Sequence, residues 1–254
     1  CVLQKLVDSA SIVGEYKGIK VIKVAGHDTQ CAIAAMPADS ERCSAFLSCG
    51  TWSLIGCECD NAVLTEKSMN DDLSNELGAN GKINYLKNIS GLWLIQEIRR
   101  NFKAAGKAYS FNDMEQLARA EKAFDCFIDP DAPEFATAGS MPEKIREFCE
   151  RTNQPVPQSD GALVRCIYES LAMKYKFAIH QISENTGKVF DVLHLLGGGT
   201  KDSFLCQMTA NSLGIPVIAG PTEATALGNI LLQLIALGDI SSIEEGRALL
   251  RKQE

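Results

Sequence analysis

The stretch Asp191-Val192-Leu193-His194-Leu195-Leu196-Gly197-Gly198-Gly199-Thr200-Lys201 decides the fold. A short apolar run rich in branched side chains predicts a buried strand over 191–196. Three glycines then let the backbone turn and approach a ligand closely. A helix is predicted from about 202 to 213, so its N-terminus faces the turn and favours anions. The motif is not G-x-G-x-x-G, and no G-x-x-x-x-G-K-[ST] occurs. A plain tight turn explains the glycines equally well at this point.

Downstream, Gly214 ends the helix, 216–219 reads as a strand, and 223–237 reads as a helix stopped by Gly238. Upstream, 160–184 predicts a long amphipathic helix capped by Ser159 or Asp160. Its apolar face carries Leu163, Cys166, Ile167, Leu171, Tyr175, Ala178 and Ile182. Residues 145–152 predict a short helix and 112–123 another, with a proline-containing loop over 125–142 between them. Apolar residues at Leu86, Ile89, Leu92, Trp93, Ile95 and Ile98 predict a helix over 86–102. Residues 58–85 read as polar and irregular. A hairpin is predicted from strands 44–48 and 52–57 around Gly50-Thr51. Residues 19–24 predict a strand, followed by a buried helix over 29–36 that Pro37 stops. Strands come first and then alternate with helices, which is α/β order with strand–glycine–helix junctions where ligands often bind.

The bulk numbers narrow the partners. The chain has 254 residues, enough for one large or two small domains. Its net charge of −7 argues against nucleic acid, which needs a basic face. No apolar run approaches the ~20 residues of a membrane span, and no basic flank with an apolar run marks a leader at Cys1-Val2-Leu3-Gln4. The cytoplasm is the default expectation. Ten cysteines over this length are too sparse for a disulfide scaffold, and most sit in apolar segments as small buried residues. Cys57-Glu58-Cys59 is the tight pair, with no histidine nearby to complete a zinc set, so no metal ligands are expected. Residues 1–18 read as the end of a preceding interdomain segment.

Four motifs could carry chemistry. Asp28 in Gly26-His27-Asp28-Thr29 stands at a strand end before a helix, where a carboxylate can act as a base. By itself it reads more simply as a helix cap, and His27 as structural. Ser48-Cys49-Gly50-Thr51-Trp52-Ser53 offers backbone N–H groups and a hydroxyl for a phosphate, or only a hairpin turn. The glycine triplet is the third. Asn88 and Gln96, eight apart on the helix predicted over 86–102, would share a face and could read a hydroxyl-rich ligand. Asn88 as a cap and Gln96 as a solvated side chain explain them as well.

In this order the motifs resemble the C-terminal half of the FGGY family of carbohydrate kinases, nearest its rhamnulokinase branch. The resemblance rests on Gly-His-Asp-Thr at 26–29, Ser-Cys-Gly-Thr-Trp-Ser-Leu at 48–54 and Leu-Lys-Asn-Ile-Ser-Gly-Leu-Trp-Leu-Ile-Gln at 86–96. It continues through Gln-Pro-Val-Pro-Gln-Ser-Asp at 154–160, Leu-Gly-Gly-Gly at 196–199 and Val-Ile-Ala-Gly-Pro-Thr-Glu-Ala at 217–224. Leu-Gly-Asn at 227–229 closes it. It implies a ribonuclease-H-like, actin-like ATPase domain over 19–254, a mixed sheet flanked by helices. It also implies transfer of the γ-phosphoryl of ATP, with Mg2+, to the 1-hydroxyl of L-rhamnulose. In that reading Asp28 is the catalytic base, His27, Asp28, Thr29 and Asn88 lie at the sugar, and Thr51, Gln96 and Gly198 lie at the nucleotide. An N-terminal sugar-binding domain is implied as the missing partner, so this chain alone should lack a complete active centre. The resemblance also implies a possible disulfide between Cys149 and Cys166. A kinase for fuculose, xylulose or glycerol, and an actin-like nucleotide-binding module without sugar kinase activity, remain the alternatives.

Overall fold

A computed structural model describes residues 6–79 and 81–252. The opening segment assigned to 1–18 falls partly outside them, at 1–5. Its described part contains a strand: β1 (Ser11–Tyr16) pairs antiparallel with β2 (Ile19–Lys23) as a separate two-stranded ribbon. Helix α1 (Asp28–Ala34) follows, and every residue from Thr29 to Ala34 is buried.

The main sheet starts with β3 (Ser44–Cys49) and β4 (Trp52–Cys59), the expected hairpin. Beyond it the sequence reading needs correction. Residues 58–85 are not irregular: they hold the end of β4, α2 (Glu66–Asn70) and β5 (Ser74–Leu77). The helix predicted over 86–102 is a strand and then a helix, β6 (Ile83–Ser90) and α3 (Trp93–Ala104). The cause is burial from both sides. Tyr85, Leu86, Lys87 and Ile89 are all buried, and a strand covered on both faces shows no period-2 alternation to distinguish it from a helix. Eight-residue pairing with β4, from Trp52↔Ser90 to Cys59↔Ile83, overrides the helical spacing. Gly91 makes the break: a Cβ there would lie 2.5 Å from Ser53 Oγ.

Next come α4 (Phe111–Ala120), α5 (Met141–Arg151) and α6 (Asp160–Thr186). Pro142 does not end a loop but sits in the first turn of α5, where its missing N–H costs nothing. Ser159 caps α6 by accepting from Ala162 N at 2.9 Å. Strand β7 (Val192–Leu196), α7 (Ser203–Leu213), β8 (Val217–Ala219) and α8 (Ala224–Leu237) complete the α/β part as expected. A last helix, α9 (Ile243–Arg251), was not anticipated.

The six-stranded sheet runs β5-β6-β4-β3-β7-β8. Pairs from β5 to β3 are antiparallel, and β3–β7 and β7–β8 are parallel. One face carries Ala45, Leu47, Ile55, Tyr85, Leu193 and Leu195 against α6 and its neighbours. The other carries Phe46, Leu54, Leu86 and Leu196 against Ala32, Ile33 and Met36 from α1 and the residues after it. Fully burying each such large side chain contributes about 1.5–3 kcal/mol. Arg247 of α9, buried, donates to Ile33 O at 2.8 Å and pairs with Glu58 at 2.9 Å. Its Nε also donates to Ala34 O at 3.2 Å, a carbonyl that the end of α1 leaves open. Among the described residues no helix is long and apolar enough to cross a membrane.

His194 lies in β7 and is 2% exposed. Burial, reinforced by the charges of Arg247, Arg251 and Arg42, pulls its pKa from 6.5 to about 4. The unfolded chain therefore takes the proton first. Stability is full above pH ~6.5 and falls as pH drops toward 4, by up to roughly 3 kcal/mol from this residue. Melting temperature measured from pH 7 to pH 4.5 should fall less steeply in His194→Gln than in the parent; parallel curves would contradict this.

Candidate active site

The parallel pairing of β3 with β7 fixes the site. Ser48 stands opposite Leu196, so the turn after β3 and the glycines after β7 leave the sheet side by side. The triplet continues as a 3-10 turn, Gly198–Lys201. Gly199 packs so tightly on the neighbouring strand that a Cβ would lie 2.4 Å from Cys49 Sγ. Gly197 N donates to Pro221 O at 3.2 Å, and Thr200 and Thr222 share a hydroxyl bond of 2.7 Å. The β8–α8 turn therefore joins the same rim. Beneath the hairpin turn, Ser53 Oγ and Tyr175 OH lie 2.7 Å apart, a buried polar prop for Gly50-Thr51.

Helix α1 brings its N-terminus to this rim. Its cap is His27, whose Nδ1 accepts from Thr29 N at 3.3 Å. Asp28 is the first helical residue, and its Oδ1 accepts the same N–H at 2.8 Å. His27 Nδ1 lies 3.1 Å from that oxygen. Both side chains are exposed, at 60% and 73%. Asp28 Oδ2 has no partner among the described residues. The carboxylate thus sits where the helix N-terminus supports negative charge, with one oxygen open to the cleft.

A cleft of about 740 Å³ is lined by His27, Asp28, Thr29, Thr51, Asn88 and Gly198 together. Six of the seven residues singled out in the sequence therefore meet at one place. Gln96 does not join them. It lines a neighbouring cavity of about 350 Å³ with Leu92, Ile95, Phe111, Asn112 and Asp202. The two spaces share Gly50 and Gly198 as a common wall, and Gln96 Nε2 donates to Thr51 Oγ1 at 3.5 Å across it. The expected shared helical face of Asn88 and Gln96 is wrong: Asn88 is on β6 and Gln96 on α3.

The sequence reading missed several lining residues. Glu76 of β5 reaches the main cleft, held by Gln30 Nε2 at 2.5 Å. Thr222, Glu223 and Thr225 line it from the start of α8, and Trp52 projects into it 60% exposed. Glu76 lay in a segment read as irregular, so no signal pointed to it. The Thr222-Glu223 turn followed a predicted strand and could have been found by the rule that ligands bind at strand C-terminal ends. Cys49 lines the cleft too, but burial pushes its thiol up to about 12, so it is packing and not a nucleophile. In the second cavity, burial raises the carboxyl of Asp202, which accepts from Tyr168 OH at 2.5 Å.

The sequence profile of the FGGY family of carbohydrate kinases, C-terminal domain, matches residues 45–237. This chain belongs to that family. It is 42% identical over 234 residues to a rhamnulokinase of Bacteroides thetaiotaomicron, covering 92% of this chain and 47% of the relative. It is 39% identical to a rhamnulokinase of Bacillus subtilis, covering 91% of this chain and 47% of the relative. The chain spans about half the length of the curated relatives it matches. Among solved structures it resembles a ligand-bound xylulose kinase from Lactobacillus acidophilus, with TM-score 0.71, 17% identity, and 95% of this chain covering 50% of that one. A Plasmodium falciparum glycerol kinase with ADP gives TM-score 0.61 at 16% identity, with 92% and 46% covered. These likenesses establish the actin-like ATPase fold of the FGGY domain, a mixed sheet flanked by helices.

The FGGY domain has two tryptophans, in different settings. Trp52 lines the cleft, whereas Trp93 is half-buried and donates from Nε1 to Phe135 O at 3.0 Å. In this chain, Trp52→Phe should remove most of the quenching that added iodide causes, because Trp52 is 60% exposed and Trp93 is half-buried. Quenching carried by Trp93 instead would contradict the assignment.

Proposed function

We propose that the full-length protein carrying this chain transfers the γ-phosphoryl of ATP to the 1-hydroxyl of L-rhamnulose. The substrate rests on the rhamnulokinases that it resembles at about 40% identity over nine-tenths of its length. The observation that carries the chemistry is the exposed Asp28 carboxylate facing the Gly50-Thr51 and Gly197-Gly198 rim across one cleft. ATP as donor puts the reaction in the cytoplasm.

The two cavities fit the two ends of that reaction. The smaller one has apolar walls, Leu92, Ile95 and Phe111, with amides on Gln96 and Asn112, which suits a nucleotide base. From there the phosphate chain crosses the wall at Gly50 and Gly198, where Thr51 and the backbone N–H groups serve as donors. The sugar takes the larger cleft, with Asn88, His27 and Thr29 as hydroxyl partners. Asp28 accepts the proton of the 1-hydroxyl as that oxygen attacks the γ-phosphorus. The bond to the β–γ bridging oxygen breaks, and ADP leaves. The transition state is loose, so the base takes its proton late and needs reach more than basicity. Mg2+ would neutralise charge on the phosphates, and the cleft carboxylates Glu76 and Glu223 are oxygen donors of the kind it takes.

The partner in this reading is an N-terminal domain closing over the cleft. Apolar side chains support it: Ile12, Val13, Tyr16, Ile19 and Val21 of the β1–β2 ribbon are all exposed. Closure would exclude water from the phosphoryl group and complete the sugar pocket.

Asp28→Asn in the full-length protein should lower kcat for L-rhamnulose by about 10²–10⁴-fold while ATP binding, read by calorimetry, stays near the parent value. Retained turnover would remove Asp28 from the role of base. A parallel panel with xylulose, fuculose and glycerol tests the substrate; preference for any of these over L-rhamnulose would overturn that part alone.

A further inference from the structure

Three cysteines far apart in sequence meet on the α6 side of the sheet. Cys126 lies in the segment after α4, Cys149 in α5 and Cys166 in α6. All three are free thiols, exposed by 5%, 0% and 1%. Their sulfurs lie within 4.8 Å of one another. Sequence spacing conceals this group, because its members are 23 and 17 residues apart and no C-x-x-C unit announces it.

The segment bearing Cys126 is held in place by side chains on either side of it. Phe124 N donates to Glu169 Oε2 at 2.9 Å, and Ile128 N to Ser170 Oγ at 2.9 Å. Phe127 N donates to Gln154 Oε1 at 2.7 Å, and Gln154 Nε2 returns a bond to Phe127 O at 2.8 Å. The third sulfur is therefore delivered by an ordered loop between two helices. A small cavity of about 30 Å³ opens beside Cys126 and Cys166, lined also by Glu121, Asp125, Arg165 and Glu169. That is room for one water molecule.

We propose that Cys126, Cys149 and Cys166 bind one zinc ion as thiolates, with a water from the adjoining cavity as fourth ligand. Zinc takes tetrahedral sulfur ligands at ~2.3 Å, which sets sulfurs about 3.7 Å apart. Sulfurs already within 4.8 Å need to close by no more than about 1 Å. Binding releases the three thiol protons to solvent and leaves a site charge of −1, beside the Arg165 guanidinium. No redox change is involved. The ion would tie the loop after α4 to α5 and α6. Helix α4 carries Phe111, Asn112 and Glu115 into the smaller cavity, so the tie would hold one wall of that cavity. The inference is independent of how the cleft is read.

The test uses the full-length protein, purified with reductant and without chelator. Elemental analysis should find about one zinc per chain. Replacing it with cobalt(II) should give the near-ultraviolet sulfur-to-metal band and the visible bands of a tetrahedral thiolate site. Bound zinc should also slow alkylation of Cys126 under native conditions relative to the same protein stripped with a chelator, whereas protection by burial alone would give equal rates. Cys126→Ser should lose the metal and the cobalt spectrum, whereas Cys43→Ser, outside the group, should keep both. If Cys126→Ser fails to fold, the cobalt spectrum and alkylation protection of the parent protein decide. Three metal-free thiols in the presence of micromolar zinc would overturn the proposal. So would a Cys149–Cys166 disulfide, seen as a mass lower by two hydrogens with neither cysteine alkylated.

Discussion

The contact on which everything else depends is the parallel pairing of β3 with β7, closed at its end by Gly199 against Cys49. It joins the antiparallel half of the sheet, β5-β6-β4-β3, to the parallel half, β7-β8. It also brings two turns of unrelated sequence, Gly50-Thr51 and Gly197-Gly198, to one edge. Any side chain at 199 would meet the Cys49 sulfur and push these turns apart. The cleft and the smaller cavity share those two turns as a wall, so their geometry relative to each other is set by this one contact.

The rest of the chain supports that edge from both faces. Helix α6 packs below the hairpin turn, and its Tyr175 hydroxyl meets Ser53 in a fully buried position. On the other face α1 is enclosed by the sheet and α8, with Arg247 of α9 bonded to its last carbonyls. The N-terminus of α1, with Asp28, therefore cannot drift from the rim. In the proposed role of base, Asp28 would start from an anchored backbone, which lowers the cost of orienting its exposed carboxylate.

Much of this was legible in the sequence, for identifiable reasons. Helix α6 was read to within two residues because Ser159 caps it and its apolar face is long. The β7–glycine–α7 junction was read because strand, glycine and helix signals follow one another without overlap. Strand β6 was misread because Leu86, Ile89 and Leu92 happen to follow helical spacing in a segment buried on both faces. Only pairing with β4, 24 to 38 residues upstream, resolves it, and such pairing has no local signature. Asn88 reached the cleft despite the wrong element, since a strand also turns it toward the rim. Glu76 and the three-cysteine group were illegible for the same reason: each depends on segments that meet only in the folded chain.

The central claim is that one ligand chain runs from the smaller cavity across Gly50 and Gly198 to Asp28. A crystal structure of the full-length protein with a non-hydrolysable ATP analogue and L-rhamnulose tests it most directly. The account predicts the base between Ile95 and Phe111, the phosphates on the two glycine turns, and the sugar 1-hydroxyl about 3 Å from an Asp28 oxygen. A base bound elsewhere, or a 1-hydroxyl held by Glu76 or Glu223 with Asp28 turned away, would contradict it.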